Sequence, residues 1–317
     1  MVGRDANGKP ARKTYSATTR HEVADKLTDA LNTLKSGIPI VIEKQTVANF
    51  LSHWLDATKH QVRPKTHRTY SDIVRLHISP ALGTVPLNKL SPQHVRQFLT
   101  LKIESGLSPR TVKHLLVTLR TALAVATKDG ELARNVAALV DPPRIPKTEV
   151  QAFNPHQARA FLEAVRGSRL EAAYTVGLAV GMRQGEILGL KWADVDLETG
   201  RLVVRAALQR VDKKLTSVEP KSTKSRRPIM LPNVCVSKLA AHKLNQDRER
   251  QWAGSRWKDT GYVFPTTVGT PMDARDLLRD FYRITRPKDK EGKPAPLPFP
   301  PVKFHALRHS AATLLLA

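Results

Sequence analysis

Apolar residues recur at helical spacing through residues 46–141, and the predicted helices carry recognisable start signals. Thr46 precedes apolar residues at positions i, i+3, i+4, i+7 and i+8 counted from Val47. Ser91 and Ser108 each stand before a proline, as an N-cap serine does before a proline at the first helical position. Other predicted boundaries are Pro64 at a helix start and Gly106 and Gly130 beyond helix ends. The pattern predicts a compact bundle of at least four helices.

Residues 151–317 alternate between helical and strand periodicity. Predicted helices cover 155–167, 170–181, 232–252 and 273–284, and predicted strands cover 201–205, a hairpin within 209–231, and 261–264. In the helix over 232–252, Val236, Leu239 and Leu244 are expected to face the core. The proline-rich stretch 286–301 is expected to be an exposed loop. This half is therefore predicted to be mostly helical, with one small sheet.

Two stretches mark the predicted domain boundaries. Pro142, Pro143 and Pro146 cannot continue a helix, so residues 142–150 are expected to form an extended linker. Before the bundle, residues 1–45 offer a strand over 12–16 and a helix after Thr19. One strand and one helix cannot bury a core, so this segment is either part of a larger domain or an ordinary extension.

Charge points to a polyanionic partner. The 317 residues contain 52 Lys and Arg against 28 Asp and Glu, a formal net charge of +24, and the basic residues are spread over all segments. Such a chain is typical of nucleic-acid binding, with binding to an acidic protein as the alternative. Cys235 is expected to be a buried apolar side chain. Without a zinc-type Cys/His cluster, a long apolar run or a signal peptide, the sequence predicts a cytoplasmic protein that needs no metal or cofactor.

Three short motifs follow one another along the chain, and their order is informative. Arg183 lies in a glycine-flanked turn, Gly181-Met-Arg-Gln-Gly-Glu; a basic segment follows, Pro220-Lys-Ser-Thr-Lys-Ser-Arg-Arg; and His305-x-x-Arg308 opens a helix. Together they resemble the tyrosine recombinases of the phage integrase family. The resemblance implies a mainly α fold: a helical, SAM-like core-binding domain over 46–141 and a mixed α/β catalytic domain with a small antiparallel sheet over 151–317. Residues 1–45 would be part of an arm-type DNA-binding domain with its linker helix.

The resemblance assigns four catalytic residues. Arg183 and Arg308 would hold the non-bridging oxygens of a DNA phosphate, because guanidinium groups bind them bidentately and stay protonated. Lys221 would be the general acid for the 5′-oxygen, with Lys224 as the competing candidate. His305 would act as a base or hydrogen-bond donor, or simply cap its helix. Glu186 either orients Arg183 or is a solvated helix residue.

Partners follow from the same resemblance. Double-stranded DNA at attachment or recombination sites is the expected ligand, a homotetramer the expected assembly, and an excisionase or DNA-bending protein would be an accessory partner. A wider basic face of the bundle includes Lys59, Arg63, Lys102 and Arg120. The residues expected to contact DNA are Lys65, Arg68, Arg110, Lys113, Lys224, Arg226 and Arg227. A solvated basic face is the alternative for each of them. A nucleoid-associated bacterial protein is expected.

The nucleophile is where the sequence departs from the family pattern. In the family, a tyrosine after the His-x-x-Arg helix attacks the phosphate and forms a 3′-phosphotyrosyl bond, which stores the bond energy, so that neither ATP nor a metal is needed. All 5 tyrosines here precede His305. We therefore expect a truncated integrase that binds DNA and does not cleave it alone. The alternative is a non-catalytic protein that occupies recombination sites.

Overall fold

The computed structural model describes residues 3–4, 10–11, 14, 16–35, 45–146, 151–211, 214–219 and 227–314. Two compact units divide the chain, Met1–Lys147 and Thr148–Ala317. Their boundary falls within the stretch that the prolines single out as a linker. Residues 141–146, which contain those prolines, have no helix or strand.

The first unit begins with a short strand pair and a helix. Strand β1 (Gly3–Arg4) pairs antiparallel with β2 (Pro10–Ala11), and α1 spans Arg20–Lys35. The Glu22 amide donates to Thr19 Oγ1 over 3.3 Å, which confirms the predicted start of this helix. The strand expected over residues 12–16 lies largely outside the described residues.

The helical bundle follows. Its helices are α2 (Val47–Thr58), α3 (Pro64–Ile73), α4 (Ser79–Leu82), α5 (Pro92–Glu104) and α6 (Pro109–Lys128). Thr46, Ser91 and Ser108 each accept a backbone N–H with the side-chain oxygen, as predicted. The buried core includes Leu51, Phe98, Leu115, Leu116, Leu119 and Leu123. The predicted bundle is thus confirmed, and its helix starts follow from local capping chemistry.

A π-helical turn, Val74–Ile78, joins α3 to α4. Pro80 explains it, because proline has no N–H to donate and its ring would clash with the carbonyl of Leu76 in a regular α-helix. The Ser79 amide donates instead to the carbonyl of Val74, five residues back. The wider turn lets the chain continue as a helix past the proline.

The expectation that Arg120 belongs to the basic face of the bundle is wrong. Its Nε donates to the Ala137 carbonyl over 3.0 Å, and Nη2 donates to the Val140 carbonyl. Asn135 returns a hydrogen bond to the Arg120 carbonyl over 2.8 Å. The guanidinium therefore ties the segment after α6 to the bundle and is committed to backbone oxygens.

The second unit contains six helices and two small sheets among its described residues. The helices are α7 (Pro155–Ala164), α8 (Glu171–Ala179), α9 (Gln184–Leu188), α10 (Asn233–Ala253), α11 (Ala274–Thr285) and α12 (His305–Leu314). The strands are β3 (Val195–Asp196), β4 (Arg201–Val204), β5 (Ala207–Val211), β6 (Lys214–Val218) and β7 (Arg227–Met230). The mainly α fold with small antiparallel sheets is confirmed.

The strand pairing differs from the single hairpin that the sequence suggested. Strand β5 pairs with β6, whereas β7 crosses to β4, which also pairs with β3. In this register Arg227 lies opposite Val204. The stretch 261–264 forms only an isolated bridge, Lys191 with Tyr262, so the strand expected there is wrong.

Aromatic rings fill the core of the second unit. Phe161 lies 5.5 to 6.3 Å, between ring centroids, from Phe153, Phe299, Phe281 and Tyr174. Ser310 of α12 is fully buried, and its Oγ accepts the Phe153 amide over 2.7 Å. Helix α12, which carries the His-x-x-Arg motif, is thereby fixed to the beginning of the unit.

The sequence prediction for α10 is wrong for one side chain. Leu239 is buried as expected, but Leu244 is 63% exposed. The buried positions near it are instead His242 and Gln246, whose side chains contact the carbonyl of Val263. Polar residues that find backbone partners thus occupy the inner face, which a hydrophobicity pattern could not show.

Candidate active site

Arg183 stands at the junction between α8 and α9. Gly181 turns the chain there with a φ of +67°, a conformation that favours glycine. Arg183 is the N-cap residue of α9, and its amide donates to Glu186 Oε2 over 3.0 Å. Its side chain is 53% exposed. The turn thus presents the arginine at a helix start, as the glycine-flanked motif predicted.

Glu186 gathers two guanidinium groups. Its side chain is only 6% exposed, and Oε1 accepts Arg183 Nη1 over 2.8 Å. Oε2 accepts Arg227 Nη2 over 3.1 Å. Of the two readings left open for Glu186, the structure favours orientation of Arg183. Arg227, predicted only as a DNA contact, joins the same cluster, which sequence reasoning missed.

Arg308 reaches the cluster from α12. Its Nη1 donates to the Gly181 carbonyl, so it touches the same turn that presents Arg183. A Cβ added to Gly181 would lie 3.2 Å from the Ala311 Cβ and 3.6 Å from the Arg308 Cγ. A larger residue at this position would therefore press α12 away from the turn. The two arginines, far apart in sequence, meet because a glycine permits close packing.

The electrostatics of the cluster are those of an anion site. Burial lowers the pKa of Arg308, and the positive charges of Arg183 and Arg227 lower it further, while Glu186 opposes them. Burial by itself would raise the pKa of Glu186, but the hydrogen bonds from Arg183 and Arg227 outweigh it, so the net shift is downward. Three guanidiniums thus act around one ionised carboxylate, and positive charge is in excess.

His305 lies beside these charges at the first position of α12. Burial lowers its pKa, and electrostatic interactions with His309, Arg308 and Arg183 lower it further. Its ring meets that of His309 edge to face, with centroids 4.9 Å apart. A neutral imidazole at this place can accept a proton. The structure therefore brings together Arg183, His305 and Arg308 of the four catalytic residues predicted.

The other predicted site residues fall into two groups. Lys221, Lys224 and Arg226 lie outside the described residues. The remaining ones, Lys65 and Arg68 on α3 and Arg110 and Lys113 on α6, are exposed. Lys65 and Arg110 are the second residues of their helices, in the first turn, where the helix dipole also attracts anions, and Arg68 and Lys113 are the fifth residues, at the start of the second turn.

The described tyrosines have other contacts. Tyr174 is buried, and its hydroxyl donates to Asp280 over 2.6 Å; burial first, and this hydrogen bond second, raise its pKa. Tyr70 packs against Trp54, with ring centroids 5.2 Å apart. Arg286 lies over the ring of Tyr282 at 4.3 Å, and Tyr262 is 9% exposed. These rings have packing roles in their units.

Among the described residues no group of three or more His, Cys, Asp or Glu side chains could hold a metal ion. No helix in the described part of the chain is both long and apolar enough to cross a membrane. Cys235 is fully buried as predicted, and burial raises the pKa of its thiol to about 12.

Comparison with known proteins agrees with this geometry. The pattern described as "Phage integrase, N-terminal SAM-like domain" matches residues 46–102, and that described as "Phage integrase family" matches residues 149–317. An integrase of Streptomyces ambofaciens is 31% identical, with 99% of this chain and 80% of the relative aligned. A XerC-like tyrosine recombinase of Caldanaerobacter subterraneus is 29% identical over 99% of this chain and 83% of its own length.

Solved structures show the same fold. The Tn1549 transposon integrase, in complex with transposon right-end DNA, superposes with a TM-score of 0.68 at 21% identity, covering 84% of this chain and 86% of that one. A lambda integrase tetramer bound to a Holliday junction gives 0.59 at 18% identity, covering 98% and 84%. With the SAM-like bundle, the catalytic-domain match and the arginine cluster in hand, we conclude that the chain belongs to the phage integrase family of tyrosine recombinases.

Proposed function

We propose that the protein carries out site-specific recombination of double-stranded DNA, and that Arg183, Arg308 and Arg227 hold the phosphate at which a strand is broken. One observation supports this most directly: Arg183 and Arg227 both bond to the carboxylate of Glu186, and Arg308 bonds to the Gly181 carbonyl in the turn that presents Arg183. The excess positive charge suits an anion, and planar guanidiniums suit two non-bridging phosphate oxygens. The DNA complexes of the Tn1549 and lambda integrases support the choice of DNA.

Each group has a proposed part in the reaction. Arg183 and Arg308 bind the non-bridging oxygens, whose charge grows in the pentavalent transition state. Glu186 keeps Arg183 and Arg227 in place, so that little reorganisation is needed when that charge develops. His305, with its lowered pKa, is neutral near pH 7 and can accept the proton of the attacking hydroxyl.

The proposed bond changes are those of strand cleavage and rejoining in the family. In the family, the hydroxyl of a tyrosine that follows the His-x-x-Arg helix attacks phosphorus, the bond from phosphorus to the 5′-oxygen breaks, and Lys221 would donate a proton to that oxygen. All 5 tyrosines of residues 1–317 precede His305, so the attacking tyrosine is not one of them. The products are a 3′-phosphotyrosyl bond and a 5′-hydroxyl. Attack by the 5′-hydroxyl of another strand reverses the step and joins the DNA, and neither ATP nor a metal enters it.

The first unit is proposed to hold the duplex. Lys65, Arg68, Arg110 and Lys113 are exposed on adjacent helices and are proposed to contact phosphates. A homotetramer on DNA is proposed from the lambda integrase tetramer on a Holliday junction. An excisionase or bending protein is a proposed accessory partner, and the bacterial cytoplasm, at the nucleoid, is the proposed location.

The phosphate contact can be tested one position at a time. A duplex selected from random sequence by the purified chain is synthesised with a neutral methylphosphonate at single positions, and its affinity is measured. We expect a few positions where neutralisation weakens binding, and Arg183→Ala should lose the effect at one of them. Arg166→Ala is the matched control, because Arg166 is 68% exposed and pairs with Glu163. Equal profiles for the two variants would remove Arg183 from the phosphate site.

The reaction is tested in bacterial cells that express the chain joined to a C-terminal segment that carries the attacking tyrosine, because all 5 of its own tyrosines precede His305. Two copies of the selected sequence on a plasmid should recombine, and Arg308→Lys should reduce recombination by about 100-fold or more, because one oriented oxyanion donor is lost. Arg166→Lys should leave it unchanged. Undiminished recombination with Arg308→Lys would refute the assignment.

A further inference from the structure

Helix α9, which presents Arg183, is too short to keep its own direction. It spans five residues, Gln184–Leu188, and a helix of that length is not stable without tertiary contacts. Ile187 and Leu188 are buried and anchor its second half. The bonds between Arg183 and Glu186 lie within one turn, so they orient the arginine relative to α9 but not α9 relative to the rest of the unit. The direction of Arg183 therefore depends on what fixes the beginning of α9.

Gln184 fixes that beginning to another helix. Its Nε2 donates to the carbonyl of Ala274, the first residue of α11, over 3.0 Å and across 90 positions of the chain. The residue is half-buried. Because Gln184 directly follows Arg183, a shift of one moves the other. The bond carries no charge, so it adds a restraint to the anion site without changing the charge there.

The acceptor of this bond belongs to a well-anchored turn. Asp273 caps α11: its Oδ1 accepts the Arg275 amide over 2.7 Å, and its Oδ2 accepts Arg210 Nε of β5 over 2.5 Å. The Asp273 side chain is largely buried. The hydrogen bond from the Arg275 amide, together with that from Arg210, lowers the pKa of Asp273, so the carboxylate is ionised at neutral pH. The first turn of α11 is thereby joined to β5.

Strand β5 in turn packs on α9. A Cβ added to Gly185 would lie 3.1 Å from the Leu208 carbonyl oxygen and 3.5 Å from the Ala207 Cβ. Contact as close as this leaves α9 little freedom to rotate against the strand. The elements α9, β5 and α11 therefore meet pairwise, and the side chain of Gln184 makes the link between α9 and α11.

We propose that Gln184 is a positioning residue for the DNA phosphate: by bonding α9 to α11, it fixes the direction from which Arg183 meets the non-bridging oxygens. Gln184 acts through Arg183 and does not itself touch the phosphate. The inference rests on the proposed function, since it has no content unless Arg183 binds phosphate. A bidentate guanidinium contact depends on the plane of the guanidinium, so a small rotation of α9 weakens it, whereas attraction to a point charge would hardly change.

Neutral phosphates test this position by position. The full chain is titrated against the selected duplex with single methylphosphonates, one of which marks the position where Arg183→Ala loses the effect of neutralisation. Gln184→Met keeps the length of the side chain and removes the donor. We expect the loss of affinity caused by that one methylphosphonate to shrink by about threefold or more, with the other positions unchanged. Gln251→Met, at an exposed position of α10, is the matched control and should keep the wild-type profile.

A double-mutant cycle separates positioning from general support of the fold. If Gln184 acts through Arg183, Gln184→Met should weaken binding of the unmodified duplex by about threefold or more in the wild type, but by less than about 1.5-fold in an Arg183→Ala background. Equal losses in the two backgrounds would mean that Gln184 only supports the unit, and would overturn the inference. Only one neutral hydrogen bond is removed, so the variant is expected to fold, which urea unfolding verifies.

The failure of the inference can be told from the failure of the proposed function. If Arg183→Ala keeps the full wild-type methylphosphonate profile, Arg183 does not bind a phosphate and both are wrong. If Arg183→Ala loses the effect at one position while Gln184→Met keeps it in full, Arg183 remains at the phosphate and only the role of Gln184 is wrong.

Discussion

The substitution Glu186→Gln tests whether the buried carboxylate organises the arginine cluster. Glutamine keeps the shape of glutamate but replaces one acceptor oxygen by an NH2 donor. Oε2 accepts two hydrogen bonds, from the Arg183 amide and from Arg227, so the NH2 group is best tolerated in place of Oε1. There it faces Arg183 Nη1, a donor, at the 2.8 Å of the present bond. The hydrogen bond from Arg183 Nη1 is therefore lost, and the one from the Arg183 amide becomes a bond between two neutral groups.

The expected magnitude follows from these contacts. A hydrogen bond to a charged group contributes about 1.5–3 kcal/mol, and Arg183, which is 53% exposed, recovers part of its loss from water. We expect Glu186→Gln to lower the free energy of unfolding by about 2–3 kcal/mol. For a unit of this size the melting temperature should fall by roughly 4–12 °C.

Tryptophan fluorescence can follow the second unit by itself. Trp192, Trp252 and Trp257 lie in Thr148–Ala317, and Trp54 lies in the first unit. In a Trp54→Phe background, unfolding in urea therefore reports the unit that contains the cluster. Glu163→Gln is the control, because Glu163 is 62% exposed and its pair with Arg166 should contribute less than about 0.5 kcal/mol. If Glu186→Gln is no more destabilising than Glu163→Gln, Glu186 does not hold the cluster together.

Three further predictions concern the stability of the second unit. Ser310→Ala leaves the buried Phe153 amide without its acceptor and should destabilise by about 1–3 kcal/mol in the same urea assay; Ser237→Ala, at an exposed site, should change little, and equal effects would contradict the reasoning. Gly189→Ala would place a Cβ 2.9 Å from the Leu208 amide nitrogen and should destabilise by about 1–3 kcal/mol, whereas Gly177→Ala, which meets only side chains at 3.4 Å or more, should be close to neutral. Burial lowers the pKa of His242, so below about pH 6.5 the unfolded chain binds a proton that the folded chain does not. The free energy of unfolding should therefore decrease as the pH is lowered, by up to about 1.4 kcal/mol per pH unit. In His242→Gln the free energy of unfolding should depend less steeply on pH between pH 7 and pH 5, and an unchanged slope would refute this role of His242.

The sequence by itself determined the features that depend on a few neighbouring residues. Caps such as Thr46, Ser91 and Ser108 act within three residues, so the helix starts could be predicted. The turn that presents Arg183 was also local, since it needed only the flanking glycine. The pairing of Arg183 with Arg308 came from the family resemblance, which supplies information about distant contacts that no local pattern contains.

The tertiary structure decided what depends on partners far along the chain. Arg227 reaches Glu186 across 41 positions, and Arg308 reaches the Gly181 carbonyl across 127. Arg120 looked like a surface cation until Ala137 and Val140 supplied acceptors, and Leu244 looked like a core residue until His242 and Gln246 took the inner face. Whether a charged or apolar side chain is buried depends on which groups the rest of the chain brings to it. That pairing is fixed only when the helices pack, so the sequence identified most of the reacting groups and the fold determined how they are held.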